Sequence, residues 1–195
     1  MTHGFDKEYW EEHWRESGAA SPPNPYLARE LGELKPGTAL DAGCGEGAEA
    51  IWLASRGWKV TAADISSAVL ARAARRAGSE HVTWVEVDLG SWSPDTRFDL
   101  VTTHYAHPAM PQLEFYDRLA DWVAPGGTLL IVGHLHSHHG HGHASPAEAS
   151  VTAAAITTRL DETDWEVVTA EEGRRIHGDR QIPLEDVVVR ATRRP

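Results

Sequence analysis

Cysteine is nearly absent: Cys44 is the only one in 195 residues, so no intrachain disulfide can form and stability must come from packing. Long apolar runs are missing too, none approaching the roughly 18–20 residues needed to cross a bilayer. The opening MTHGFDKEYW is acidic and aromatic where a secretory leader would be basic and then apolar, which predicts a soluble, cytoplasmic protein with no membrane partner. Positive charge is scarce. Eighteen Lys and Arg face 29 Asp and Glu, a formal net charge of −11 that repels polyphosphate backbones and predicts a small-molecule partner, not nucleic acid. With 41% hydrophobic residues and 24% charged, the chain is neither fibrous nor disordered and reads as one globular domain over 1–195.

What is abundant is histidine: six of the twelve fall at 134, 136, 138, 139, 141 and 143. Along the rest of the chain, apolar runs alternate with stretches of helical period. Residues 5–16 form an amphipathic helix by the spacing of Tyr9, Trp10 and Trp14; SPPNP ends it, and 26–34 reads as a second short helix. These first 36 residues are a candidate lid ahead of a core over 37–195. Strands are expected at 38–43, 58–64, 82–88, 98–104 and 127–134. Helices are expected at about 46–56, from a Ser66 or Ser67 cap to 76, and at 112–123. A helix from Ser145-Pro146 to Leu160 follows the histidines, then strands at 165–171 and 184–192 joined by a polar loop. The fold class is therefore α/β and Rossmann-like: a seven-stranded, mainly parallel sheet with one antiparallel edge strand and helices on both faces.

The chemistry starts at LDAGCGEGAEA (40–50), where a strand ends and a helix opens on Gly43, Gly45 and Gly47. Glycines admit a ligand close to the backbone, and the helix start offers unpaired N–H groups. Gly43-x-Gly45-x-x-Ala48 also fits a loose dinucleotide fingerprint, which keeps a nicotinamide-dependent oxidoreductase as an alternative. Three carboxylates favour another ligand. Asp41 precedes the glycines, where a pyrophosphate gains nothing; Asp64 ends the second strand 21 residues after Gly43; Asp88 ends the third. A cationic adenosyl ligand without phosphates suits them better. Taken singly, each aspartate could equally be a helix cap or a surface acid.

Together LDAGCGEG, TAADIS, VEVDLG, FDLVTTHYAH and VAPGGTLLIVGH resemble the class I S-adenosylmethionine-dependent methyltransferases, and the short aromatic helix ahead of the glycines is similar to the small bacterial tellurite-resistance and thiopurine-methyltransferase type. The resemblance implies S-adenosylmethionine as cofactor. It would pass its methionine part beside Gly43, Cys44 and Gly45, with Asp41 facing the ammonium directly or through water. Asp64 would hold the ribose and Ile65 the adenine face, while Asp88 and the Leu89 N–H would meet the adenine edge. Thr103 and His104 would sit near the sulfonium.

The reaction the resemblance implies is transfer of a methyl group to an O, S, N or metalloid nucleophile of a small molecule; a base is needed only for an acceptor that arrives protonated, and the candidates are His107 first, then His104 and Tyr105. The tetrapeptide His104-Tyr105-Ala106-His107 stands where nucleic-acid amide methylators carry Asn-Pro-Pro-aromatic, which argues against a DNA base as acceptor. The histidine run begins at the same sheet edge. His107, His134, His136, His138 and His139 are the candidate ligands of a divalent transition metal, which could activate the acceptor, although the spacing matches no standard zinc pattern and a solvated surface loop fits the run as well. A metal-binding or metal-sensing protein on the same scaffold is the non-enzymatic alternative. The expected oligomeric state is monomer or homodimer.

Overall fold

The computed structural model describes residues 5–16, 21–135, 150–177 and 182–195. Seven strands form one sheet in the order β3-β2-β1-β4-β5-β7-β6. They are β1 (Thr38–Ala42), β2 (Lys59–Asp64), β3 (Val82–Glu86), β4 (Phe98–His104), β5 (Val123–His134), β6 (Trp165–His177) and β7 (Ile182–Arg193). The first five run parallel, with helices in the crossovers from β1 to β2, β2 to β3 and β4 to β5 and a helix-free loop from β3 to β4. β7 is antiparallel to both β5 and β6 and stands between them, so the antiparallel hairpin of β6 and β7 lies at the edge of the sheet with β6 outermost.

Strand alternation divides the core into two layers. Leu129 and Ile131 of β5 and Val187 and Val189 of β7 pack with Phe115 and Leu119 of α5 (Gln112–Asp121) and Ile156 of α6 (Ala153–Thr157). Leu130, Val132 and Val188, their immediate neighbours in sequence, pack on the other face with Leu27 and Leu31 of α2 (Tyr26–Leu31) and Leu53 of α3 (Ala48–Ser55). Both faces are covered, so the strand ends are the free margin on which a ligand can sit.

α4 (Ser67–Ala73) starts where expected, with the Ser66 hydroxyl accepting from Val69 N at 3.2 Å. α1 (Lys7–Glu16) is laid across this margin by polar contacts: Glu11 Oε1 accepts from Ser67 N at 2.9 Å, and Lys7 pairs with Glu86 at the end of β3. Among the described residues no helix is long and apolar enough to cross a membrane.

Two expectations need correction. The helix expected to run from 145 to 160 covers only Ala153–Thr157; 145–149 lie outside the described residues, and the backbone at 150–151 pairs with the end of β5, where Val151 N donates to His134 O at 3.1 Å. The polar loop expected between the last strands continues the hairpin, with Glu172 opposite Val187, Gly173 opposite Asp186 and Arg175 opposite Leu184. Its charges form cross-strand pairs, Arg174 with Glu185 and Arg175 with Asp186, which lets polar residues extend the ladder.

Candidate functional site

A cavity of about 490 Å³ opens at the carboxyl ends of β1, β2, β3, β4 and β5, roofed by Trp10 and Trp14 of α1 and by the proline run at 22–25. Gly43, with φ +78°, stands where a Cβ would come 2.2 Å from that of Ala106. Glycine there lets the loop after β4 fold against the turn after β1, which brings His104 and His107 to the cavity wall. Gly45, at φ +48°, does the same for the lid: a Cβ would meet the Trp14 indole at 2.8 Å.

Of the residues expected at a cofactor, Gly43, Cys44, Gly45, Asp64, Ile65, Asp88, Leu89 and His104 line this cavity. Asp64 Oδ2 accepts from Gly45 N at 2.9 Å and Oδ1 from Ser66 N at 3.0 Å; a carboxylate has about four lone-pair sites, so capacity is left for a ligand. Burial nonetheless holds its pKa above the ordinary value. Asp88 orders its own turn, accepting from Gly90 N at 2.8 Å and Ser91 Oγ at 3.2 Å. Asp41 is 1% exposed behind the glycine turn, and its Oδ2 has no hydrogen-bond partner among the described residues. Burial first, then the nearby Glu49 and Asp64, push its pKa well up. The same burial and carboxylates push the Cys44 thiol up, so it is an inert wall.

Thr103 does not reach the cavity. Its hydroxyl donates to Ala42 O at 2.8 Å inside the sheet, so its expected place beside a sulfonium is not the one it occupies.

The residues proposed as bases separate clearly. Tyr105 directly follows β4 with φ 57°, a left-handed conformation that is strained for a bulky residue. Its hydroxyl donates to Asp186 Oδ1 at 2.8 Å and accepts from Arg175 Nη2 at 2.9 Å, while Arg175 Nε reaches Asp186 Oδ2 at 2.5 Å. Burial pushes its pKa above the ordinary value, so Tyr105 keeps its proton and serves the ion pair. His104 has no partner for either ring nitrogen among the described residues, and burial lowers its pKa against a smaller opposing effect of Glu49. His107 is 6% exposed, with Nδ1 3.1 Å from Gln112 Oε1 and Nε2 without a described partner. Burial lowers its pKa, opposed by the Gln112 contact. Both imidazoles are therefore neutral at pH 7.

His134 stacks on His107 at 5.3 Å between centroids, and burial, with His107 adding to it, brings its pKa down to about 4. These are two of the five imidazoles expected around a metal; His136, His138 and His139 lie outside the described residues. Among the described residues no group of three or more His, Cys, Asp or Glu is placed to hold an ion.

Sequence reasoning missed Glu49, Gln112, Arg175 and Asp186. Glu49 had a signal, an acid in the first turn of the helix after the glycines, and it accepts from Asn24 N at 2.9 Å to hold the proline run over the cavity. The others come together only through strand register and the loop after β4.

Residues 39–127 match the family model described as a methyltransferase domain. The chain is 39% identical over 95 residues to an uncharacterized methyltransferase of Mycobacterium bovis, covering 48% of each chain. It is 29% identical over 135 residues to a probable thiol methyltransferase of Arabidopsis thaliana, covering 62% of this chain and 59% of the other. It thus spans less than two thirds of either relative. Among solved structures, magnesium protoporphyrin IX methyltransferase from Synechocystis with bound S-adenosylhomocysteine superposes with a TM-score of 0.68 at 17% identity, covering 96% of this chain and 97% of that one.

Proposed function

We propose that this chain, whose residues 39–127 match a methyltransferase domain, is a class I S-adenosylmethionine-dependent methyltransferase and transfers a methyl group to a small-molecule nucleophile that arrives protonated, a thiol or a comparably acidic hydroxyl. The observation that carries this reading is the group of carboxylates at the cavity, Glu49 and Asp64 on its wall and Asp41 behind the glycine turn, with Asp41 Oδ2 buried and unpartnered among the described residues. Such a group suits a ligand bearing an ammonium and a sulfonium. The same carboxylates would repel the pyrophosphate of a nicotinamide dinucleotide, so the oxidoreductase alternative loses support.

When bound, S-adenosylmethionine supplies a methyl group on a sulfonium that is already electrophilic. Glu49 would hold the ammonium, with Asp41 facing it through water from behind the glycine turn, and Asp64 would take the ribose hydroxyls with Ile65 at the adenine. Asp88 and the Leu89 N–H meet the adenine edge, and Gly43, Cys44 and Gly45 pass beside the methionine part. His104 packs on the cofactor side, and His107 accepts the acceptor's proton. Trp10 and Trp14 exclude water: the Trp10 indole donates to His107 O at 3.1 Å, and the Trp14 carbonyl accepts from Arg72 Nη1 at 2.7 Å, which pins α1 over the mouth as a lid. The relative named for thiol methylation supports the acceptor class.

We further propose that the chain works as one domain in the cytoplasm, as monomer or homodimer, on neither membranes nor nucleic acid. The metal reading has only His107 and His134 in view, fewer than the three or four ligands a catalytic transition ion takes. One-to-one uptake of zinc or nickel by tag-free protein would return the histidine run to the site and revive the sensing alternative.

Electrostatics supply the test. Asp41 and Asp64 have raised folded pKa values, so their favourable contribution belongs to low pH and is lost as pH rises through those values. At neutral pH they destabilise the free protein, and a bound cation should relieve that. S-adenosylhomocysteine is therefore expected to raise Tm clearly more than 5′-methylthioadenosine, which lacks the ammonium. Equal shifts would overturn the assignment of these carboxylates. Asp64→Ala and Asp88→Ala should each weaken S-adenosylhomocysteine binding by about 1–3 kcal/mol by calorimetry, since each removes a charged acceptor. Unchanged affinity in both would defeat the adenosine placement.

A further inference from the structure

We infer that Gln112 fixes the tautomer of His107, placing the proton on Nδ1 and leaving Nε2 as the bare nitrogen that takes the acceptor's proton. The inference rests on the reading of His107 as the base. Gln112 begins α5 and is 4% exposed. Its Nε2 donates to the backbone carbonyl of Ala106 at 2.9 Å. A carbonyl oxygen can only accept, so the amide nitrogen must face Ala106 and the amide oxygen must face the ring.

Gln112 Oε1, 3.1 Å from His107 Nδ1, can in turn only accept. Nδ1 must therefore carry a hydrogen. A neutral imidazole has one N–H, which leaves Nε2 with its lone pair, buried and without a described partner, on a residue that lines the cavity. Packing against His134 at 5.3 Å and Phe5 at 5.6 Å holds the ring, and Trp10 grips the His107 carbonyl. Gln112 is thus a positioning residue, acting on the acceptor only through His107.

The proton balance is complete. The acceptor's S–H or O–H gives its proton to His107 Nε2 as its heteroatom forms the bond to the methyl carbon, the carbon–sulfonium bond breaks, and that electron pair stays on the departing thioether sulfur. His107 becomes an imidazolium with both nitrogens protonated and returns one proton to solvent when product leaves. The groups facing it from neighbouring elements are Gln112 on α5 and His134 on β5, and His134 in turn packs on Tyr105, whose hydroxyl is engaged by Asp186 of β7 and Arg175 of β6.

Nitrogen-15 NMR of the histidine ring, on the full chain with S-adenosylhomocysteine bound, reads the tautomer directly. Wild type is expected to show His107 protonated at Nδ1, and Gln112→Leu a mixture of tautomers with unchanged S-adenosylhomocysteine affinity. With a thiol panel, kcat in Gln112→Leu should fall by about 10-fold or more, within the range set by general-base catalysis. Gln112→Glu keeps an acceptor at Nδ1, so it should restore the single tautomer and move the acid limb of the kcat profile to higher pH. A wild-type ring protonated at Nε2, or a Gln112→Leu ring still held in one tautomer, overturns the inference. If the spectra are as expected but His107→Phe keeps full kcat, tautomer control by Gln112 is supported and the base reading alone fails.

Discussion

Asp186→Ala is expected to destabilise the fold by about 3–5 kcal/mol, the cost of removing one partner from a buried ion pair. Asp186 is fully buried on β7, where Arg175 and the Tyr105 hydroxyl meet its two oxygens. Truncation leaves the guanidinium, whose side chain is only 18% exposed, without its counter-charge, and takes the acceptor from Tyr105. It also loosens the tie between the β6–β7 hairpin and the strained Tyr105 that follows β4. Urea unfolding checks this through the midpoint at unchanged slope. A loss under about 1 kcal/mol would mean that water reaches the pair and that it behaves like a surface salt bridge. Replacing both partners, Arg175→Met with Asp186→Leu, should recover much of the stability, because no buried charge is then left alone.

The residues of that network mark where sequence reasoning ran out. The five parallel strands were legible because each is a short apolar run bounded by Gly, Asp or Ser, and the carboxylates lie at strand ends, where position in sequence fixes position in space. The hairpin was cut short because EGRRIH carries no apolar alternation; its polar residues hold the ladder through cross-strand charge pairs, which only the register reveals. Gln112 is five residues beyond His107, but the contact depends on how a loop turns into α5, and no periodicity encodes that. Thr103 was a different kind of miss. Adjacent residues of a strand point to opposite faces, so Thr103 and His104 could not both look into one site, and the Thr103 bond to Ala42 O shows which was turned away.

His107→Ala should lower kcat by about 10²–10⁴-fold on an acceptor that arrives as a neutral thiol, the usual share of a general base. The pH dependence separates this from simple disturbance of the site. In the wild-type protein the base is neutral imidazole, and burial holds its pKa below the ordinary value near 6.5. Activity should therefore be flat at neutral pH and fall only on acidification below about 6.5. In His107→Ala no group takes the proton, so the rate should follow the thiolate fraction, rising about tenfold per pH unit toward the ordinary thiol value near 8.5. The defect then shrinks in alkali. A deficit that stays constant from pH 6 to 9 would instead mean that His107 only shapes the pocket. Acid unfolding must be kept apart from the acid limb. His104, His107 and His134 all have folded pKa values below their unfolded ones, so their contribution is present above about 6.5 and is lost as pH falls through the folded values, which for His134 means about 4. Circular dichroism across the same range shows whether the rate falls before the fold does; a coincident fall would assign the acid limb to unfolding and leave the alkaline recovery of the variant as the deciding evidence for proton transfer.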